Sequence, residues 1–155
     1  MSASSLVYLD TNVFILGFEF GGVEAQPVHQ LLTALKEVPK AIVTSELTLA
    51  ELLAPPKREN DFPFARKAEL YGNLLIWSGL IDLWPVSRQV LIGTAVLRQN
   101  WLCKLPDAIH MVSALHAGCA FFMSNDRDMN QSPHGIKRIL PDQPGVATIL
   151  DALRA

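Results

Sequence analysis

Short apolar runs alternate along this chain with longer segments whose apolar residues recur at helical spacing, and few folds accept that rhythm. Residues 6–9, 41–44, 81–84 and 119–123 are such runs, with a further one near Ile139. They are too brief for buried helices and suit strands covered on both faces. Between the first two, Val28, Leu31, Leu32 and Leu35 predict an amphipathic helix over about 24–38, which Pro39 ends. Ser45 opens another helix, with Leu49, Leu52 and Leu53 toward the core and Glu51 on a different face from Leu49 and Leu53. Further helices are predicted over 64–78, from Ser87 to Leu97, from Pro106 to His116 with Gly118 as the stop, and from about Val146 onward. Strands alternating with helices imply crossover connections. The expected fold is therefore α/β, a three-layer α/β/α domain around a mostly parallel sheet of four or five short strands.

The chain has 155 residues, which predicts one domain spanning 1–155. Half of it is hydrophobic and only 18% is charged, so a disordered or tail-like protein is excluded. The first residues lack a basic segment and Asp10 interrupts their apolar run, so they read as a core strand, not a signal peptide. No uncharged apolar stretch reaches the ~18 residues of a membrane span. Cys103 and Cys119 lack metal-type spacing, and two buried thiols in a reducing cytoplasm is the plain reading. Pro55, Pro56 and Pro63 make residues 54–63 irregular.

Four acids stand where this scheme leaves a strand or enters a helix: Asp10, Glu51, Asp107 and Asp126. Each alone has an ordinary explanation. Asp10 can cap a helix, Asp107 suits a positive helix N-terminus, Asp126 forms turns and Glu51 can be a solvated helix residue. Parallel sheets, however, gather their sites at the carboxyl ends of their strands, where Asp10 and Asp126 fall. Two carboxylates about 5 Å apart repel by roughly 3 kcal/mol at an effective dielectric near 20, so a cluster calls for a cation. Carboxylate and water ligands suit a hard ion such as Mg²⁺ or Mn²⁺. The formal charge of −2 is unusual for a nucleic-acid binder, but setting aside these four acids and Asp128 turns it to +3.

The segments Leu9-Asp10-Thr11-Asn12, Ser45 to Leu52 around Glu51, Leu105-Pro106-Asp107-Ala108-Ile109-His110 and Ser124-Asn125-Asp126-Arg127-Asp128 occur in that order. This ordered set resembles the PIN-domain family, most closely its VapC-type toxins of toxin–antitoxin pairs, over about 7–140. Ser124 stands where the family often has Thr, and Met129 where it often has Phe. The resemblance implies a PIN-like fold and a Mg²⁺- or Mn²⁺-dependent endoribonuclease that hydrolyses RNA phosphodiester bonds. It implies catalytic roles for Asp10, Glu51, Asp107 and Asp126, with Asp10, Asp107 and Asp126 binding metal. Thr11, Asn12, Ser124 and Asp128 would support them, and Arg127 would contact substrate. A small antitoxin, a homodimer and a cytoplasmic location complete the expectation, with no membrane attachment.

Other residues carry weaker signals. His110 follows Asp107 by one helical turn and could bind metal or move a proton, although a helix-surface or satisfied histidine is the plainer reading. His29, His116 and His134 belong to no constellation. Lys57, Arg58, Arg66 and Lys67 could track an RNA backbone, or simply be solvated surface. Trp77, Trp84 and Trp101 could stack bases, yet core or dimer packing is the plainer assignment. The 54–63 stretch reads as a flap, an antitoxin clamp or a surface loop. Two competing functions are a stand-alone RNA-processing nuclease and a non-catalytic acidic-pocket domain. The second would want an acidic pair after the first strand, where this chain has Thr11 and Asn12.

Overall fold

In the computed structural model, residues 6–126, 133 and 135–154 are described. The elements run β1 (Val7–Leu9), α1 (Thr11–Phe18), α2 (Gln26–Leu35), β2 (Ile42–Ser45), α3 (Glu46–Leu52), α4 (Phe64–Tyr71), β3 (Ile81–Trp84), α5 (Arg88–Leu97), α6 (Leu105–Ala117), β4 (Phe121–Met123), β5 (Lys137–Ile139) and α7 (Gln143–Arg154). The strands form one sheet in the order β3-β2-β1-β4-β5. Every neighbouring pair is parallel, so the expected mostly parallel sheet is wholly so.

A parallel sheet must be covered on both faces, and the strand alternation divides the core accordingly. Val7, Leu9, Ile42, Phe121 and Met123 pack with Phe14, Val28, Leu31, Leu35 and Ile149 on the side of α1, α2 and α7. Tyr8, Val43 and Phe122 point the other way, onto Met111 and Ala114 of α6. Tyr8 and Phe122 are register partners, and their rings stack with centroids 5.1 Å apart. Fully burying a side chain of this size is worth about 1.5–3 kcal/mol.

Local signals set several boundaries. Ser45 and Ser87 cap α3 and α5, accepting from the backbone N–H of Leu47 and Val90. Gly118 ends α6 at φ 77°, a left-handed conformation that costs glycine nothing. Two helices differ from expectation. α2 starts at Gln26, because Val23–Ala25 form a 3₁₀ turn ahead of Pro27. The predicted 64–78 helix is α-helical only to Tyr71 and continues as a π-helical stretch over Gly72–Trp77. Apolar spacing over so few residues does not separate those two windings.

The strand order also locates a crevice. From β1 the next strand lies on one side of it, and β4 with its successor lies on the other. The loops leaving β1 and β4 therefore part above adjacent strands, at the sheet's topological switch point. Those loops carry Asp10–Asn12 and Ser124–Asp126.

Candidate active site

Asp10 is extended (φ −70°, ψ 157°) and caps α1. Its backbone N–H donates to Met123 O at 3.0 Å, continuing the β1–β4 ladder by one step. Its Oδ1 accepts from Thr11 N at 2.8 Å. Its Oδ2 accepts from Ser124 Oγ at 2.8 Å and from Asn12 Nδ2 at 3.3 Å. Asn12 Nδ2 also donates to Ser124 Oγ (3.1 Å), and Asn12 Oδ1 accepts from Asn125 N (2.8 Å). Asp126 N donates to Ser124 Oγ at 3.1 Å. The two loops are thus stitched together through Asn12 and Ser124. Hydrogen bonds to an ionised carboxylate are about twice as strong as neutral ones, so this set holds Asp10 in one orientation.

Asp107 lies in the first turn of α6. Burial pushes its carboxyl above the ordinary range, the negative charges of Asp10 and Asp126 push it further, and His110 and Lys104 pull it only partly back. Three acids distant in sequence are therefore near enough for the charges of Asp10 and Asp126 to act on Asp107. Among the described residues, no group of three or more His, Cys, Asp or Glu side chains is placed to hold a metal ion. Carboxylate donors still fit Mg²⁺, which keeps several waters and binds through one or two of them.

The repulsion has a thermal consequence. Between the ordinary carboxyl value and the raised one, the folded protein binds more protons than the unfolded chain, so stability falls as pH rises. Asp107 therefore weakens the metal-free fold at neutral pH. Water screens this half-buried group, so Asp107→Asn is expected to gain about 0.5 kcal/mol. That corresponds to a Tm higher by about 1–2 °C. The gain should vanish below roughly pH 4, where the parent carboxyl is protonated as well. An unchanged or lower Tm at pH 7 would deny the clustering.

Glu51 reaches the same crevice from α3. Its Oε1 accepts from Thr11 Oγ1 at 2.8 Å and lies 2.5 Å from His110 Nε2. Burial alone would raise this carboxyl, but the hydrogen bonds from His110 and the Thr11 hydroxyl outweigh it and leave Glu51 below the ordinary range. His110, only 1% exposed, also sits 3.7 Å from Asp10 Oδ1. Its Nδ1 is 2.5 Å from the Tyr8 hydroxyl, which accepts from Ser45 N at 3.1 Å. His110 is a satisfied histidine, and it is not on the helix surface. Tyr8 went unnoticed in the sequence; the usable signal was its polar tip inside an apolar strand.

Several expected contacts take other forms. Arg127, Asp128, Met129 and His134 lie outside the described residues. Lys67 does not reach out for a backbone: it is buried, 3.9 Å from Glu19 Oε1, and donates to Ala54 O at 3.4 Å. Arg66 covers the Phe62 ring at 3.7 Å. Trp77 is 79% exposed, which removes it from the core, whereas Trp84 and Trp101 pack against buried clusters. His29 lies 2.6 Å from Gly17 O. The 54–62 loop and α1 enclose a cavity of about 630 Å³, with Glu51 in its wall beside Phe20, Lys57 and Arg58.

An α/β domain with neighbouring carboxylates at the switch point of a five-stranded parallel sheet is the class of protein that fold and site define. The PIN domain model matches residues 7–134, and the chain belongs to the PIN domain family. Among solved structures, it is similar to a chain of VapBC2 from Rickettsia felis bound to a DNA fragment from their promoter. That match has 14% identity and a TM-score of 0.62, covering 87% of this chain and 98% of that one. A chain of a toxin–antitoxin complex from Klebsiella pneumoniae is 21% identical, with a TM-score of 0.61 and coverage of 88% and 98%. A chain of DNA-bound VapBC from Salmonella typhimurium is 18% identical, with a TM-score of 0.62 and the same coverage. No curated protein matches the chain. No helix among the described residues is long and apolar enough to cross a membrane.

Proposed function

We propose that this protein is a Mg²⁺- or Mn²⁺-dependent endoribonuclease acting as the toxin of a VapBC-type pair. The observation that carries the reading is the convergence on one crevice of Asp10, tied to Ser124 and through it to the Asp126 backbone, with Glu51 from α3 and Asp107 from α6. The Asp107 carboxyl is raised by burial first and then by the charges of Asp10 and Asp126. Asp10, Asp107 and Asp126 would hold the ion, which when bound acidifies water and neutralises charge on the scissile phosphate. Glu51 would orient the attacking water with the carboxylate oxygen that Thr11 and His110 leave uncommitted. Thr11, Asn12 and Ser124 keep Asp10 and Glu51 in place, with Asp128 as an additional acid and Arg127 on the RNA backbone.

The toxin role rests on family membership and on the neighbours named above, all chains from toxin–antitoxin assemblies. A small antitoxin would seat in the cavity beside Glu51, where Phe20 is largely exposed. The exposed Leu91, Ile92 and Val96 of α5 offer an apolar surface for a homodimer. A cytoplasmic location belongs to the same reading.

Incubating the purified protein with a mixed RNA pool tests the activity. Cleavage should require millimolar Mn²⁺ or Mg²⁺ and stop with chelator. The same ions should raise the Tm of the parent more than that of Asp107→Asn, since a bound ligand stabilises by its mass action. Cleavage that survives chelation, or equal shifts in both proteins, would remove the metal site. Inhibition on co-expression with a short partner gene would separate a toxin from a stand-alone RNA-processing enzyme.

A further inference from the structure

We infer that Tyr8 and His110 are positioning residues, a buried hydrogen-bonded relay that aims the Glu51 carboxylate into the crevice. This rests on the nuclease reading for its catalytic consequence, though not for its geometry. A carboxylate can only accept, so the 2.5 Å approach of His110 Nε2 to Glu51 Oε1 requires a proton on that nitrogen. At the other end of the ring, Nδ1 lies 2.5 Å from the Tyr8 hydroxyl. That oxygen accepts from Ser45 N–H, and in a neutral ring whose proton is on Nε2, Nδ1 is the acceptor that takes the phenol proton. The chain of contacts therefore runs from the backbone of β2, through Tyr8 and His110, to Glu51.

Its effect is to remove freedom from a flexible side chain. Glu51 is half-buried, and each χ angle left free would blur where its second oxygen points. Thr11 and His110, themselves 3.4 Å apart, both claim Oε1, so the other oxygen is left for solvent or ligand. His110 itself is fixed by burial and by Tyr8, and Tyr8 by its stacking on Phe122. A ring held at both nitrogens is a rigid spacer between a strand and a catalytic carboxylate.

Two measurements test the relay. In the metal-free parent, histidine ¹H–¹⁵N spectra should show a protonated His110 Nε2 whose signal shifts in both Glu51→Gln and Tyr8→Phe. An unprotonated Nε2, or no response to either change, would overturn the inference whether or not the protein cleaves RNA. In cleavage assays, His110→Ala should lower kcat about 10- to 100-fold with little change in KM. His110→Gln, which can still donate from the Nε2 position and guards against a folding defect, should recover most of that loss. In a Glu51→Gln background, His110→Ala should cost less than about threefold more. Additive losses would overturn the relay. A parent that cleaves no RNA would sink the nuclease reading alone, and the spectra would still decide the geometry.

Discussion

Asp10→Asn is expected to lower metal-dependent RNA cleavage by at least about a thousandfold while leaving a folded protein. Losing a fully engaged carboxylate from a metal site removes several kcal/mol of charge stabilisation, and about 4 kcal/mol is a thousandfold in rate. The folded state should survive because the cap is retained: an asparagine oxygen can still accept from Thr11 N. The damage falls on the other oxygen, which now accepts from Ser124 Oγ and Asn12 Nδ2. An amide nitrogen there faces two donors. The Ser124 hydroxyl can rotate to accept, but Asn12 must move, which costs on the order of 1 kcal/mol. The check is a fluorogenic single-stranded RNA assay in Mn²⁺ together with a metal thermal shift. Activity within tenfold of the parent, with the Mn²⁺ shift intact, would remove Asp10 from the chemistry.

Gly145→Ala should produce the largest loss of stability. Gly145 lies in the first turn of α7, and its N–H donates to Asp142 Oδ1 at 2.8 Å. A Cβ at this position would lie 1.9 Å from the Leu140 carbonyl oxygen and 2.8 Å from Ile139 Cγ2. The nearest obstacle is backbone, so no rotamer change relieves it. α7 and the end of β5 must separate instead. Overpacking of this kind costs about 1–3 kcal/mol or more, and the better helix propensity of alanine returns at most ~1. A net loss of about 1–2 kcal/mol lowers Tm by roughly 2–8 °C. Gly72→Ala is the control: Gly72 is helical at φ −58° and an added Cβ meets nothing within 4 Å. Its Tm should be unchanged or slightly higher. Equal destabilisation by both substitutions would mean that close packing at Gly145 is not the cause.

The features legible in the amino-acid sequence are those set by neighbours along the chain. Ser45 and Ser87 each satisfy an N–H only two or three residues away. Gly118 stops α6 by its own backbone freedom. The motifs around Asp10, Glu51, Asp107 and Asp126 were visible because each carries its acid beside a strand or helix boundary. What escaped depended on distant partners. Lys67 is buried only because Glu19 and the Ala54 carbonyl meet it. Tyr8 gains a role only because α6 covers that face of the sheet and brings His110 to it.

Alternation of short apolar runs with amphipathic helices committed this polymer to a parallel α/β sandwich, since such strands must be buried on both faces and joined by crossovers. It also put carboxylates at the ends of strands. Strand order was another matter. Seating β4 beside β1 brought Ser124 to Asp10 and the charge of Asp126 within reach of Asp107, while α3 and α6 delivered Glu51 and His110 to the same crevice. Those meetings rest on hydrogen bonds and charges spanning up to 114 positions of chain, contacts that exist only once the sheet has closed.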